Sequence, residues 1–515
     1  MCIMNLVCFA SHGPHTPTSK RPRCFLRRNL DVISAKADVT PMHFPTAARV
    51  STLLLAIIPT SSASVVPAPP RALKPITGDA CALGFDFGTS GVRCAVVDAA
   101  GGIVASPAGY SWGDKERNQS ADDWRAALFS QLGDIPLAAR QRIERIAVSG
   151  TSGSILLVEE DGTPSRTRGN PRMYDFSVKK QAGEAGAAAL KLLEESTPEG
   201  HTVRSATSAL AKLLAYHLEE PLTESERLAH QADYCASLLT GLPPSSDWHN
   251  ALKLGFDVRG LEYPEWMSDA STPIGAIVDG KLPTVTRPGE PYGSISSSVS
   301  SEYGLPESCV VVGGTTDSIA AFLAAGASEV GDAVSSLGST LAIKLLSLQP
   351  VDDAALGVYS HRLGDRWLVG GASNTGCAIL REEGFDADEL KTLSDGIDPA
   401  STPVHTDYYP LSRSTVGERF PKPDENAIAM LTPKPDDRKD YLHCILYGVA
   451  RVEMEAYQAL ASLGASPLER VLTSGGGSNN PQWTAMRETL LKVPTSQADN
   501  IDAAYGAALL AARGS

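Results

Sequence analysis

From residue 81 the chain alternates short apolar runs with glycine-rich turns. The opening stretch, Cys81 followed by ALGFDFGTSGVRCAVVDAAGGIVAS, joins apolar runs through one turn near Gly88 and another at Gly101 and Gly102. Such alternation predicts an antiparallel meander. Residues 121 to 139 have helical spacing around Trp124, Leu128 and Leu132, and IERIAVSGTSGSILLVEEDG then predicts strand, loop, strand. Segments 182 to 195 and 206 to 219 predict helices, the second amphipathic through Leu210, Leu213, Leu214 and Leu218. After residue 309 a similar theme restarts: CVVVGGTTDSIAAFLAAGA predicts a strand, a loop and a helix ended by Gly326, and DAVSSLGSTLAIKLLS predicts a hairpin. Residues 421 to 440 are rich in proline and charge and predict a surface loop. A long helix from about Tyr441 to Leu463 follows, then the strand VLTSGGGSNN and an alanine-rich closing helix. The domain junction is expected near the helix at 316 to 327.

At 515 residues the chain exceeds what one core usually holds, which implies two domains. With 43% hydrophobic and 20% charged residues it has an ordinary globular composition. Charge is distributed unevenly: residues 1 to 78 carry nine Lys or Arg against two acids, leaving −21 on the rest of a chain whose net charge is −14. So acidic a body repels nucleic acid and anionic membranes, and neither is an expected partner. The basic first 78 residues, rich in Ser, Thr, Pro and Ala, have the composition of an organelle-targeting presequence and are excluded from the predicted fold. Two forms of that segment stay open: a plastid or mitochondrial transit peptide from Met1, or a start at Met42 with a signal peptide ahead of a plastid transit segment. The plastid stroma is the expected location.

Nine cysteines include no CxxC pair, and no HExxH grouping occurs. Zinc and a dense disulfide framework are therefore not expected; buried reduced thiols are.

The chemistry lies in four glycine-rich hydroxyl loops: DFGTSG at 86 to 91, GTSGS at 150 to 154, GTTDS at 314 to 318 and SLGST at 336 to 340. Glycine lets backbone amides approach phosphate oxygens, and small hydroxyls add donors without bulk. Asp86 and Asp317 add carboxylates. No GxxxxGK[ST] loop occurs, so a Walker-type site is excluded. Asp317 also suits the N-cap of the helix that follows it.

In their order, DFGTSGVR, SGTSGSILL, NALKLGFD, GTTDSIAAFLA, SLGSTLAIKLLS, GVYSH, GGASNTG, DYYPL, GERFP and GGGSNNPQW resemble the FGGY family of carbohydrate kinases, over residues 81 to 515. The resemblance is closest to the plastid and cyanobacterial branch that phosphorylates D-ribulose. It implies an α/β fold of two actin-like (ribonuclease H-like) domains with a cleft between them, in the superfamily of actin, hexokinase and Hsp70. The sugar-side domain would span 79 to 324 and the nucleotide-side domain 325 to 515, with a last helix at about 501 to 513 packing back on the first domain.

The same resemblance implies an ATP-dependent kinase of a free pentulose, D-ribulose ahead of D-xylulose, working as a monomer with Mg²⁺. Asp317 would be the catalytic base and would contact the sugar with Asp86 and Ser152. Asp86 would also meet the metal through water. Thr89, Ser90, Gly338, Ser339 and Thr340 would hold the phosphates. Gly475, Gly476, Gly477, Asn480 and Trp483 would flank the nucleoside, though Trp483 equally suits a packed core. Asp247, His249 and the Asn250 to Gly255 stretch would form part of the sugar-side wall. Ser149 stands where relatives often carry an aspartate. A protein of the same superfamily that binds ATP as a switch, without sugar chemistry, is the alternative of a different class.

Overall fold

The computed structural model describes residues 73–115 and 119–513. Of the presequence expected over 1 to 78, all but the last six residues lie outside that range. Those six belong to the fold: Ile76 is buried, and its N–H donates to the Ala512 carbonyl at 2.9 Å. The folded part therefore begins ahead of residue 79, because an apolar residue two positions after Lys74 finds cover on the closing helix.

Among the described residues the strands form two main sheets, one of eight strands and one of six. The first is centred on Cys81–Phe87, which pairs antiparallel with Gly91–Asp98 on one side and parallel with Ile143–Gly150 on the other. The predicted meander is present, continuing antiparallel into Ile103–Ala105. All seven residues of Cys81–Phe87 are buried, as expected of a strand covered on both faces. Leu83 and Phe85 pack one face against Trp124 and Leu128. Ala82 and Ala147 pack the other against Ala507, Ala508 and Ala511 of the closing helix Ala503–Arg513. Contact there is so close that a Cβ on Gly84 would lie 2.2 Å from the Ala504 carbonyl oxygen.

The second sheet pairs the hairpin Asp332–Leu337 and Leu341–Ser347 with Arg366–Ser373 on one side and, in parallel, with Arg470–Ser474 on the other. The long helix Arg438–Ser462 covers it through Leu442, Ile445, Leu446 and Val449. Asp437 caps that helix, so it starts three residues before the expected Tyr441. The helix expected over 121 to 139 is interrupted instead: Ala121–Asp134 ends before Pro136, and Leu137–Arg140 forms a separate turn. Proline lacks the N–H that the helix would need and disfavours helical geometry at Ile135.

Two helices lie between the sheets. Asp317–Ala324 sends Ile319 and Phe322 onto Val334, Leu346 and Leu472 of the second sheet. Its other side meets the closing helix at Gly506, where a Cβ would lie 1.8 Å from the Ala320 carbonyl oxygen. Each sheet thus rests on one helix, and the helices touch backbone to backbone. The six cysteines in the described residues are free, and all but the half-buried Cys377 are buried.

Candidate active site

Strand register brings the first three loops together. In the first sheet Asp86 lies opposite Ser149 and Phe87 opposite Gly150, while Thr315 and Thr316 lie opposite the same Ser149 and Gly150. Asp86, the loop after Gly150 and Asp317 therefore leave the sheet at one edge, at the carboxyl ends of parallel strands where α/β sheets place ligands.

Asp86 is buried and accepts a hydrogen bond from the Ser149 hydroxyl at 2.7 Å. Burial pushes its carboxyl up to about 7; the Ser149 bond opposes this and the charge of Asp317 adds to it. The departure at position 149 thus has a local effect. An aspartate there would set a second carboxylate against Asp86, whereas serine supplies a proton. Thr89 and Ser90 are exposed at the hairpin tip, which Trp112 braces by donating from its indole N–H to the Gly88 carbonyl at 2.9 Å.

The Ser152 loop is held from behind. Gln231 accepts from the Thr151 backbone N–H at 3.0 Å and from its hydroxyl at 2.9 Å. Lys212, with no exposed surface, donates to the Gly153 and Met173 carbonyls at 2.7 Å each. Burial lowers that ammonium to about 7. In the fixed loop the Ser152 hydroxyl is buried and makes no hydrogen bond among the described residues. Its carbonyl accepts from Lys253 Nζ at 3.4 Å.

Asp317 is half-buried at the first position of its helix; the cap position belongs to Thr316. Among the described residues its carboxylate accepts only the N–H of Ser318, at 2.6 Å, so helix capping does not account for it. Burial raises its pKa, and the charges of Lys344 and Lys253 oppose that rise. Lys253 lies within the Asn250 to Gly255 stretch expected on the sugar-side wall, whereas Lys344 is not among the residues assigned roles from sequence. The available signal was a charged residue inside an apolar run, LAIKLL, where a strand covered on both faces has no ordinary place for one.

In the second sheet the hairpin tip Gly338 to Thr340 meets the glycine run after Arg470–Ser474. Gly475 has φ +83, and a Cβ on it would lie 2.6 Å from the Leu337 carbonyl oxygen. A Cβ on Gly477 would lie 2.7 Å from Leu337 Cβ, while Gly476 has nothing within 4 Å and stays open. Ser339 is exposed and accepts from Arg381 at 3.1 Å; Thr340 is half-buried.

Two residues expected beside the nucleoside also have structural partners. Asn480 caps Pro481–Leu491, accepting from the Trp483 N–H at 3.0 Å, and its amide donates to Ser394 at 2.8 Å. Trp483 is buried in the second core with its indole N–H on the Leu446 carbonyl at 2.9 Å. Both groups are engaged in holding helices together. Residues expected on the sugar-side wall also make structural bonds: Asp247 caps the turn Trp248–Ala251, and burial pushes its carboxyl up to about 6. His249 joins the two halves of the molecule, with Nδ1 2.8 Å from the Thr315 hydroxyl and Nε2 2.6 Å from the Arg362 carbonyl. A carbonyl can only accept, so Nε2 carries the proton and Nδ1 accepts from threonine.

No cluster of three or more His, Cys, Asp or Glu side chains able to hold a metal occurs among the described residues. Asp86 stands as a single carboxylate. That fits magnesium arriving with nucleotide phosphates, which keeps several waters and needs only one or two carboxylates. Beside Lys253 opens a cavity of about 990 Å³, lined by both halves, with Phe256 and Trp266 on one wall and Tyr359, Trp367 and Arg419 on the other.

Residues 333–515 match the C-terminal domain of the FGGY family of carbohydrate kinases. Over 463 residues the chain is 23% identical to a xylulose kinase of Bacillus subtilis (strain 168), covering 84% of this chain and 88% of that protein. It is 20% identical over 445 residues to a gluconokinase of the same organism, covering 80% and 82%. Among solved structures, one described as a xyloylose kinase from Brucella ovis superposes with a TM-score of 0.69 at 21% identity, covering 84% of this chain and 90% of its own. The xylulose kinase of Rhodospirillum rubrum gives 0.66 at 21% identity, covering 84% and 89%. These likenesses show the two-domain actin-like fold that the sequence resemblance implied.

Proposed function

We propose that this chain, a member of the FGGY family of carbohydrate kinases, transfers the terminal phosphoryl group of ATP to the primary hydroxyl of a free pentulose, D-ribulose giving D-ribulose 5-phosphate. The observation that carries this is the convergence at one strand edge of Asp86, the unpartnered Ser152 hydroxyl and a half-buried Asp317 that capping does not explain.

Ser152 orients the ketose so that its terminal hydroxyl meets Asp317. As that oxygen forms its bond to the γ-phosphorus, the bond to the leaving ADP breaks and the hydroxyl proton passes to the Asp317 carboxylate. Thr89, Ser90, Ser339 and Thr340 present donors to the phosphates from the two sheets. Asp86 would hold magnesium, which when bound neutralises phosphate charge. Burying the reactants between the domains keeps water from competing for the phosphoryl group.

D-xylulose is the second candidate, favoured by the names of the similar kinases. A coupled ADP-release assay over D-ribulose, D-xylulose, L-ribulose and glycerol decides between them. The highest kcat/KM is expected for D-ribulose; a higher value for D-xylulose replaces it, and no pentulose-dependent turnover overturns the proposal. Asp317→Asn should lower kcat by about a hundredfold or more while ATP still binds, because a positioned general base contributes on that scale. Normal turnover by the variant would remove Asp317 from the mechanism. We assign the sugar side to residues 79 to 324 and the nucleotide side to 325 to 515, in a monomer imported into the plastid. Sequencing the mature amino terminus and measuring the native mass check the last two points.

A further inference from the structure

Two ammonium groups unused in the chemistry above stand beside Asp317, and they come from opposite halves of the molecule. Lys253 belongs to the first half and donates to the Ser152 carbonyl at 3.4 Å. Lys344 lies in the strand Leu341–Ser347 of the second sheet and reaches the Ser318 carbonyl, one residue past Asp317, at 2.7 Å. Among the described residues neither closes an ion pair with Asp317, although each feels its charge. An ammonium has three donors. With one carbonyl each, both lysines keep donors for a further partner.

Half-buried cations without a closed carboxylate partner are costly to maintain. Burial lowers both pKa values, Lys344 to about 8. What relieves such a pair is an anion between them. Lys253 touches the Ser152 loop, Lys344 touches the residue after Asp317, and each ammonium feels the charge of Asp317, the residue at which the sugar hydroxyl is placed above. Asp317 is itself negative, so it does not invite a second anion unless the cations outweigh it. Two against one do.

We propose that Lys253 and Lys344 hold the transferred phosphoryl group from opposite halves of the molecule, taking its non-bridging oxygens as it leaves ADP and keeping them in the phosphate ester of the product. This rests on the kinase function proposed above. In the step, the bond between the γ-phosphorus and the bridging oxygen breaks with its electron pair going to ADP. A lone pair of the sugar oxygen forms the new P–O bond, and the sugar proton goes to Asp317. The lysines neither give nor take a proton. Because Lys253 sits in the turn Leu252–Leu254 of the first half and Lys344 in a strand of the second sheet, the pair is complete only when the halves are together, which ties phosphoryl transfer to closure.

The test uses the full chain with Lys253→Met, Lys344→Met and Lys344→Arg. Each Met variant should lose about a hundredfold in kcat, the scale of removing one charge-stabilising donor. By calorimetry, affinity for the 5-phosphate of the preferred pentulose should fall about tenfold, as for loss of a hydrogen bond to a charged group, while affinity for the free pentulose stays put. Lys344→Arg should recover part of both losses. An unchanged ratio of the two affinities in folded variants overturns the proposal. So does an equal loss of both affinities with a lowered Tm, since that is the outcome for lysines that only fasten the loop and helix. If a Met variant does not fold, the Gln variant takes its place in the same measurements. Should the wild-type chain turn over no pentulose, the kinase function fails on its own. The lysine pair is then judged by inorganic phosphate binding, weakened in the variants if the pair holds phosphate and unchanged if it does not.

Discussion

Lys212 is a buried cation that donates to backbone carbonyls, two of them at 2.7 Å. One belongs to the Ser152 loop and the other to Met173, so a single side chain fixes the spacing of two segments on the sugar side. Lys212→Met should raise the KM for the pentulose about tenfold and leave the KM for ATP unchanged, a loss on the scale of one charged hydrogen bond. The pH dependence has a definite sign. In the folded chain the ammonium titrates at about 7, below its ordinary 10.5, so between those values the unfolded chain binds more protons. Wild-type stability therefore gains a contribution as pH rises through that window and loses it on return toward 7. Thermal melts of the Met variant should lack that component.

Residue identity was legible where composition carries chemistry and illegible where orientation does. DFGTSG, GTSGS and GTTDS announced themselves through glycine, hydroxyl and carboxylate at short spacing. Asn480 and Trp483 have the same residue types as a base-binding pair, but the Asn480 amide donates to Ser394 and the Trp483 indole N–H to the Leu446 carbonyl, each in a neighbouring helix. Lys253 was placed only as one residue of the sugar-side stretch Asn250 to Gly255, and Lys344 carried no expectation, because nothing local in either segment points to Asp317. Only the tertiary fold brings a turn of the first half and a strand of the second sheet within reach of Asp317's charge.

At the scale of elements, the crossing of Asp317–Ala324 with Ala503–Arg513 depends on the absence of one carbon. Gly506→Ala would set a Cβ 1.8 Å from the Ala320 backbone oxygen, a clash that no side-chain rotation relieves. We expect a cost of about 3 kcal/mol, at the high end for overpacking, read as a lower urea midpoint. Gly133→Ala is the contrast. Its added carbon meets only Tyr303, at 3.9 Å, inside Ala121–Asp134, so the variant should gain about 0.5–1 kcal/mol from helix propensity. Elements themselves were read well from periodicity, with Pro136 and the Asp437 cap moving their ends. The parallel pairing of Cys81–Phe87 with Ile143–Gly150 was not legible, because nothing local in either strand names a partner some sixty residues away.

In the molecule as a whole, the two halves are joined by His249 as well as by the paired helices. The imidazole is neutral, burial having lowered its pKa to about 4 from 6.5. As pH falls from 6.5 toward 4 the unfolded chain takes up a proton that the folded chain refuses, so this residue's share of stability declines across that window and is level below it. His249→Gln should melt lower at pH 7 and show a smaller further drop between pH 6.5 and 4 than the wild type. An identical acid profile would show that other groups set it.

The closing helix carries a different kind of consequence. Ala507, Ala508 and Ala511 cover a sheet face built largely from strands near residues 81 to 98 and 143 to 150, yet they are among the last described residues that a ribosome would add. Until then the alanine and valine side of that sheet has no cover, whatever the loops at its edge have already achieved. The first half is therefore expected to complete its core only once the second has been translated, leaving an apolar face bare in that interval.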